Sequence, residues 1–600
     1  MPSASAGASK SRRGREKPRS AARAAGGQAR ESAAVREGLA RWQYALLFVP
    51  AVYLAFEIYA PALAGHFVFD DLVLPQVALR NSNRPFKEWV SVRPVLMSTY
   101  WVNFRLFGLA TTSYHVVNLL LHIANAAFVF LICRKLLASG GKLTRRLELF
   151  AAGAGALFLL HPAQSEAVAY VAGRSETLSA FFFLAAFTVF LYRRRAAISW
   201  TACAVVLLLF AGAVGSKEHA IVLPALLLLT DYYWNPGFST RGIRENWRLY
   251  LGSLFASGLG LAGVWSYLSA TPMIGSQVAG FSWLEYFFTQ WRAVLGYIRL
   301  FLFPAGLNAD HDFAISRGPL EHGALAALVA ILLLAAAAIR FRRRYPLASY
   351  GWLAFLLVLA PTSSVIPIAD VFTERRLYLP MMGLLLVVLE FARRIEAPGR
   401  AWAAALALVC VPLAYATRER SKVWADRIRF WEDTVSKSPR KWRPRYNLAV
   451  VYQEAGQCRK AVQQYEAGAQ AQKPDYDYIM MWGLAHRCAG EAGPALARFR
   501  EAAALEKSAG VYELIASLEA AQGRSAEALA SLAQAEAIDR TYWRTYLTRG
   551  NVYSSLKNYE AARTAFREVL RVYPSHREAA RGLALAEERL RTEAGTRSAR

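Results

Sequence analysis

Cysteine is scarce in this 600-residue chain: there are five, none in a C-x-x-C spacing, and Cys133, Cys203 and Cys410 fall inside apolar runs. That excludes a redox dithiol motif and a metal centre built on paired thiolates. Cys458 and Cys488 fall in the C-terminal part, where two ordinary packed thiols are the expected state and a disulfide is open to them only in an oxidising compartment. Acidic residues are also in short supply, 43 against 71 lysines and arginines, for a formal net charge of +28. An excess of that size suggests nucleic acid. The basic residues, however, come in short clusters at the ends of apolar segments with no stacking aromatics between them, which excludes nucleic acid as a partner. No aromatic occurs before Trp42, in a stretch with ten Lys or Arg against three Glu, so residues 1–41 read as a disordered basic cytoplasmic tail. The first apolar run starts late and no cleavage pattern follows it, so its helix is expected to remain as an anchor.

Apolar residues, in contrast, make up 55% of the chain. A segment of about 20 of them is needed to cross ~30 Å of hydrocarbon. Candidate spans are 42–62, 114–134, 147–162, 177–192, 197–215, 219–234, 247–268, 322–340, 348–367, 376–392 and 401–417. Cytoplasmic ends concentrate Lys and Arg. With 1–41 inside, Arg134, Lys135, Lys142, Arg145 and Arg146 are cytoplasmic, as are Arg193, Arg194 and Arg195, then Arg241 and Arg244. Arg340, Arg342, Arg343, Arg344, Arg393 and Arg394 follow the same rule, provided that the helix at 283–303, interrupted by Arg292 and Arg299, lies on or dips into the outer face. Eleven spans then put everything after Thr417 outside, in the compartment of the loop that follows the first span.

From Trp442 the composition turns to charged, Ala-rich helix with a period near 34, the length of a tetratricopeptide helix pair. Small residues recur where two helices of a pair cross, with bulky ones between: Leu448, Ala449, Tyr452, Gly456, Ala461 and Tyr465, then Gly483, Gly490, Ala495 and Phe499. Ala516, Gly523, Ala528 and Leu532 mark a third unit, and Gly550, Tyr553, Ala562, Phe566 and Pro574 a fourth. The predicted fold class is therefore all-α: a polytopic helix bundle over 42–417, a connecting helix at 418–441, repeats at 442–475, 476–508, 509–542 and 543–575, and a capping helix and tail at 576–600.

Ionisable groups in a membrane domain are costly, and those at the outer ends of spans are site candidates. Asp70 and Asp71 directly follow Phe67, Val68 and Phe69; adjacent carboxylates suit a site where one acts as base and the other holds an acceptor, a metal or a cation, and equally a capped turn. His115, Asn118, His122 and Asn125 share one helical face, as a polar groove or as glue between helices. His161, Pro162, Gln164, Glu166, Arg174 and Glu176 form a turn that runs back along the surface. Lys217, Glu218 and His219 break the positive-inside trend, which a bound anion or a local ion pair accounts for. Asp370, Glu374, Arg375, Arg376 and Tyr378 form a fifth group, whose two arginines suit a phosphate. Asp310, His311 and Asp312 are open to a divalent metal, with an exposed loop the expected state.

Those strings also carry a resemblance. Phe-Val-Phe-Asp-Asp at 67–71, Arg93-Pro94, Tyr114 to His122, His161-Pro162 with Ser165 to Val168, Gly173 to Glu176, Lys217-Glu218 and Glu374 to Pro380 resemble, in order, the transmembrane and tetratricopeptide-repeat O-mannosyltransferases. The resemblance implies a glycosyltransferase C fold that moves a sugar from a polyprenyl-phosphate carrier to a hydroxyl with inversion. Asp70 or Asp71 would be the base, its pKa raised by its apolar and acidic neighbours. Arg375 and Arg376, then Arg174, Lys217 and Arg93, would meet the lipid phosphate. His115, Asn118, His122, His161, Glu166, Glu176, Glu218, Glu374 and Tyr378 would line the site. The lipid-linked sugar would be the donor substrate; no cofactor is indicated, and a divalent metal is left open. The repeats, shorter in array than in many members, would hold a protein or peptide acceptor. The Ala- and Arg-rich composition suggests a bacterial inner membrane with the repeats outside, or the endoplasmic reticulum in a eukaryote; the sugar is left open between mannose and another hexose. Two rivals remain: an enzyme of the same fold that glycosylates a lipid or envelope glycan, and a transporter or export component with a repeat docking platform, which the absence of internal symmetry disfavours.

Overall fold

The computed structural model describes residues 41–80, 86–89, 93–139, 143–193, 195–270, 280–364 and 366–598. The expected tail, apart from Arg41, lies outside the described residues, as do Lys142 and Arg194 of the basic clusters. All regular elements among the described residues are α- or 3-10 helices. They fall into two compact units: one holds the residues up to Leu63, Phe69–Ala305 and Ile315–Ser421, the other Ala64–Val68, Gly306–Ala314 and the chain from Lys422 onward.

In the first unit, five helices among the described residues are long and apolar enough to cross a membrane: Trp42–Leu63, Thr111–Ala138, Val171–Leu191, Glu321–Arg340 and Gly399–Ala425. Leu46, Leu47, Phe48 and Val49 on the first, Leu332 and Leu333 on the fourth and Leu408 and Val411 on the fifth are exposed, an apolar surface that lipid satisfies and water does not. The chain is a multi-pass membrane protein. Among the described residues five such helices stand where eleven were expected; for several of the others helix length is the reason, although Trp247–Ala270 runs for 24 residues. The segments expected at 147–162 and 219–234 are the helices Arg145–Leu160 and Leu223–Trp234, of 16 and 12 residues. At about 1.5 Å per residue, twelve residues reach only about 18 Å. Turns cut them short: His161-Pro162 closes one and the 3-10 turn Glu218–Val222 opens the other.

The interrupted segment at 283–303 forms one helix, Trp283–Leu302, entered by a capping box between Ser282 and Glu285. Tyr286, Thr289, Gln290, Ala293, Val294, Tyr297 and Leu300 are its buried face, while Trp283, Leu284 and Leu302 are exposed. The connector does not begin at a break, because the helix Gly399–Ala425 runs on past Thr417 before Arg427–Lys437 starts.

The second unit is an α-solenoid of helix pairs: Trp442–Glu454 with Cys458–Ala469, Tyr476–Cys488 with Ala492–Leu505, Ala509–Ala521 with Ser525–Ile538, and Trp543–Ser555 with Tyr559–Val572, followed by Arg577–Ser598. The small residues at the crossings have a steric cause. A Cβ on Gly483 would sit 2.6 Å from the Phe499 ring, closer than any real contact. Phe499 in turn packs with Ile479, Leu496, Val511 and Ile515 across three helices, so each pair buries its apolar face only against the next.

Two expectations are corrected in this unit. Cys458 and Cys488 form a disulfide, with their Cα atoms 5.6 Å apart, because the crossing of the first two pairs brings the start of one helix to the end of another. The loop expected to be exposed at 310–312 is held instead. Asp310 is 3% exposed, and its carboxylate accepts from Arg443 Nε at 2.8 Å, Arg443 Nη2 at 2.7 Å and Lys441 Nζ at 2.5 Å, while Asp312 pairs with Arg440 at 2.8 Å. Three cations on these two carboxylates leave little attraction for a divalent metal.

Candidate functional site

The two adjacent carboxylates after the first span separate on folding. Phe69 enters their 3-10 turn at φ 51°, a left-handed conformation rare outside glycine and costly for a bulky side chain. The turn sends Asp71 inward and leaves Asp70 exposed. Asp71 is 2% exposed and accepts from the backbone N–H groups of Val171 at 3.2 Å and Ala172 at 2.6 Å. The Asp70 backbone N–H donates to the Tyr170 hydroxyl at 3.1 Å, and the Tyr170 ring meets the Phe69 ring edge-on.

The partner turn, 170–173, is itself fixed from below. Arg174 is fully buried and donates to Asn118 Oδ1 at 3.0 Å, to Asn103 Oδ1 at 2.9 Å and to the Tyr114 carbonyl at 2.9 Å, with its guanidinium over the Tyr100 ring. Asn118 donates to the Tyr170 carbonyl at 2.9 Å. Gly173 lies so near the Ala167 carbonyl that a Cβ would be 2.5 Å from it. Arg174 and Asn118 thus shape the turn that grips Asp71.

The rest of the polar stripe on Thr111–Ala138 is interior. His122 Nδ1 is 2.8 Å from the Tyr378 hydroxyl and its Nε2 is 3.1 Å from the Leu159 carbonyl; Asn125 donates to Tyr378 at 3.0 Å. His115 is buried as well. These side chains join helices rather than line a groove. His161 is buried, its Nε2 3.0 Å from the Phe301 carbonyl while its Nδ1 accepts from the Ala163 N–H at 3.2 Å, the pattern of a neutral imidazole.

Around this centre stand cations, each held by a carboxylate. Arg375 pairs with Glu166, whose other oxygen accepts the Arg375 backbone N–H at 2.9 Å, and lies 3.7 Å from Asp370. Lys217 pairs with Glu176, which also has His219 3.7 Å away. Arg93 makes a two-pronged bridge to Glu218 at 2.8 and 3.0 Å. Burial pushes the Glu166 carboxyl above its ordinary range against the pull of Arg375. Burial likewise lowers the Lys217 ammonium, although Glu176 holds it up in part.

The two neighbouring arginines do not work as a pair. Arg376 turns into its own loop, donating to the Val371 carbonyl at 3.1 Å, to the Asp370 carbonyl, and to the Tyr286 hydroxyl at 3.3 Å. Glu374 is fully buried beside Glu166. Sequence reasoning missed Tyr170, which links the Asp70 turn to Arg375, whose guanidinium lies 5.8 Å from the centre of its ring. One signal was available: Tyr170 is the only aromatic residue between His161 and Phe181.

The model for the tetratricopeptide repeat matches residues 544–576. Among curated proteins, the chain is 24% identical over 441 residues to protein O-mannosyl-transferase F38B6.6 of Caenorhabditis elegans, covering 68% of this chain and 60% of that protein. Protein O-mannosyl-transferase TMTC3 of Homo sapiens is 30% identical over 151 residues, 25% of this chain and 16% of that one. Tmtc1 of Drosophila melanogaster is 32% identical over 199 residues, 30% and 22%. The chain is similar, at 24–32% identity, to these protein O-mannosyl-transferases. Its matches span 60%, 16% and 22% of these relatives' own lengths, less than two thirds of each.

Proposed function

We propose that this chain is a membrane glycosyltransferase that moves a mannose or other hexose from a polyprenyl-phosphate carrier to Ser or Thr hydroxyls of proteins crossing the membrane. The observation that carries the reading is the split of Asp70 from Asp71: one carboxylate exposed, the other tied to two backbone amides 100 and 101 residues away. In this reading Asp70 takes the hydroxyl proton as the acceptor oxygen bonds to the sugar carbon. The bond from that carbon to the carrier phosphate breaks from the opposite face, so configuration inverts and the phosphate leaves with the electron pair. Asp71 holds the turn and does not touch substrate.

Arg375, Lys217 and Arg93 are the cations assigned to the leaving phosphate. Arg375 already faces Glu166 and Asp370, Lys217 faces Glu176 and Arg93 faces Glu218, so an arriving phosphate competes with these carboxylates. Arg376 and Arg174, spent on carbonyls and amide oxygens, serve to shape the loops. The solenoid holds the acceptor. The Cys458–Cys488 disulfide supports an oxidising compartment for it, the bacterial periplasm or the endoplasmic reticulum lumen.

The test is transfer of labelled sugar from a membrane lipid carrier to protein by the full chain, with Asp70→Asn and Asp71→Asn alongside. Both variants should lose transfer, Asp70→Asn the more. Parental transfer by Asp70→Asn would remove the base, and no product with any carrier-linked hexose would remove the reaction.

A further inference from the structure

The two halves of the Cys458–Cys488 bridge differ in their surroundings. Cys458 is 8% exposed, whereas Cys488 lies open to solvent. Cys458 is the first residue of the 12-residue helix Cys458–Ala469, whose N-cap Gln457 makes no side-chain cap, and Cys488 is the last residue of Tyr476–Cys488. Both border one open cleft of about 400 Å³, which Gly456, Arg459, Lys460 and Ala489 also line and, among the described residues, no carboxylate does. That volume lies within the usual range of small-ligand clefts, about 300–1,000 Å³. Arg459 and Lys460 are exposed, while the neighbouring acids in the sequence, Glu454 and Glu491, are each bonded at 2.6 Å, to Arg427 and to His486.

The helix crossing does not depend on the bridge. The Tyr478 hydroxyl donates to the Tyr465 carbonyl at 2.6 Å, and the Tyr478 ring lies 5.4 Å from the rings of both Tyr446 and Tyr465. The later crossings, built on Phe499 and on Leu532 with Val552, are packed without a disulfide. What the bridge adds is reactivity. A thiolate is favoured at a helix N-terminus and beside cations, and disfavoured at a helix C-terminus, where the dipole is negative. In thiol–disulfide exchange the sulfur that makes the more stable thiolate leaves faster. Cys458 is largely covered but borders the cleft, so its thiolate would not be enclosed in apolar side chains. Exposure and helix polarity therefore agree: Cys488 is the sulfur to be attacked and Cys458 the one to leave.

We propose that the Cys458–Cys488 bridge is an exchange site for a small anionic thiol of the glutathione class, which becomes bonded to Cys488. The incoming thiolate sulfur bonds to Cys488 Sγ as the Cys458–Cys488 bond breaks, and the electron pair of that bond leaves on Cys458 Sγ as a thiolate. A second thiolate then attacks the sulfur of the bound small molecule. Cys488 leaves as a thiolate, the two small thiols depart as one disulfide, and the protein has gained their two electrons. Arg459 and Lys460, with no carboxylate beside them in the cleft, select the anion. None of this rests on the transferase reading.

The experiment takes the full chain in non-ionic detergent at low ionic strength, with its free thiols blocked beforehand. Mercaptoethanesulfonate, mercaptoethanol or cysteamine is added, exchange is stopped with excess N-ethylmaleimide, and the adducts are located by peptide mass spectrometry. The small thiol should sit on Cys488 and the maleimide on Cys458 in about tenfold excess over the reverse. Per thiolate, the anionic sulfonate should react about tenfold faster than the cationic cysteamine, with neutral mercaptoethanol between them. The double variant Arg459→Glu, Lys460→Glu should invert that order with Cys488 still the preferred site, whereas a misfolded solenoid would bare both sulfurs alike. Equal adducts on the two cysteines, no adduct with any of the three thiols, or an unchanged order of rates in the double variant overturns the proposal.

Discussion

The membrane helices use ionisable side chains differently at their two ends. At the ends rich in arginine, three carboxylates are fully buried and saturated. Glu148 accepts from Tyr44 at 2.5 Å and Arg134 at 3.1 Å, and Asp231 from Arg193, Asn246 at 2.7 Å and Tyr250 at 2.5 Å. Glu390 accepts from Arg393 at 2.8 Å, Arg394 at 2.7 Å and the Leu347 N–H at 3.0 Å. At the opposite ends each carboxylate has fewer partners and some bridges are open to solvent: Arg93 and Glu218 pair one to one and keep 38% and 35% of their side-chain surface, and Asp70 is exposed. A saturated carboxylate locks helices together. A single-partner bridge near solvent can be reopened by another anion, which is what a phosphate-handling site requires.

The largest effect expected from this contrast is on Asp70. Its change to Asn should lower the rate of sugar transfer by about 10²–10⁴-fold, the usual worth of a general base, with the protein still folded. Asp231→Ala should do the reverse. Removing one partner of a saturated buried cluster costs about 3–5 kcal/mol, so unfolding in detergent should come much earlier while the folded fraction transfers normally. A variant at Asp231 that kept its stability and lost transfer would erase the distinction between the two ends. Asp71→Asn belongs between them: an amide there loses acceptor strength for the Val171 and Ala172 N–H groups, and misplacement of Asp70 should cost about 10²-fold.

Why the sequence disclosed some of this and concealed the rest is visible in single residues. The helix-pair period was legible because a Cβ on Gly483 or Gly550 would come within 2.6 Å of a phenylalanine ring, so these two crossings call for glycine. The stripe His115, Asn118, His122 and Asn125 was legible as one face, but periodicity does not distinguish a face turned to a groove from one turned to Tyr378 and Leu159. Asp70 and Asp71 are chemically identical in the sequence; only the positive φ at Phe69 and a turn 100 residues away separate them. Arg375 and Arg376 were read as a pair for the same reason, and the 3-10 turn Glu374–Leu377 that carries them sends them to different partners. Basic clusters gave a topology but not their buried carboxylate partners, since Asp231 and Glu390 lie within apolar runs as lone acids.

A smaller effect tests the single-partner bridges. Burial holds the Lys217 ammonium below its ordinary range, so as pH rises it loses its charge earlier than a free lysine at about 10.4. If that charge serves the leaving phosphate, transfer falls on the alkaline side at a correspondingly lower pH. Lys217→Arg keeps the charge throughout and should move that fall upward, with a change of less than about tenfold at neutral pH. A pH–rate profile identical in the parent and the arginine variant would take Lys217 out of the site and leave it as a bridge like those at the opposite ends.

The smallest effect lies in the solenoid, where Glu513, buried and bonded to the Thr548 hydroxyl at 2.6 Å, departs from the saturated pattern. Its pKa is raised by burial, so the folded state holds the proton more tightly than the unfolded chain. Stability contributed by this group is therefore full below the unfolded value of about 4.3, and it falls as pH rises through the window up to the raised folded value. Glu513→Gln keeps the shape and the Thr548 contact and removes the charge. It should unfold at a temperature about 2–4 °C higher at neutral pH, the equivalent of about 1 kcal/mol, with the gap closing as pH falls below the window. The reading is thermal unfolding of parent and variant followed by circular dichroism across that range. A constant gap at every pH would mean that Glu513 is paired as fully as Asp231.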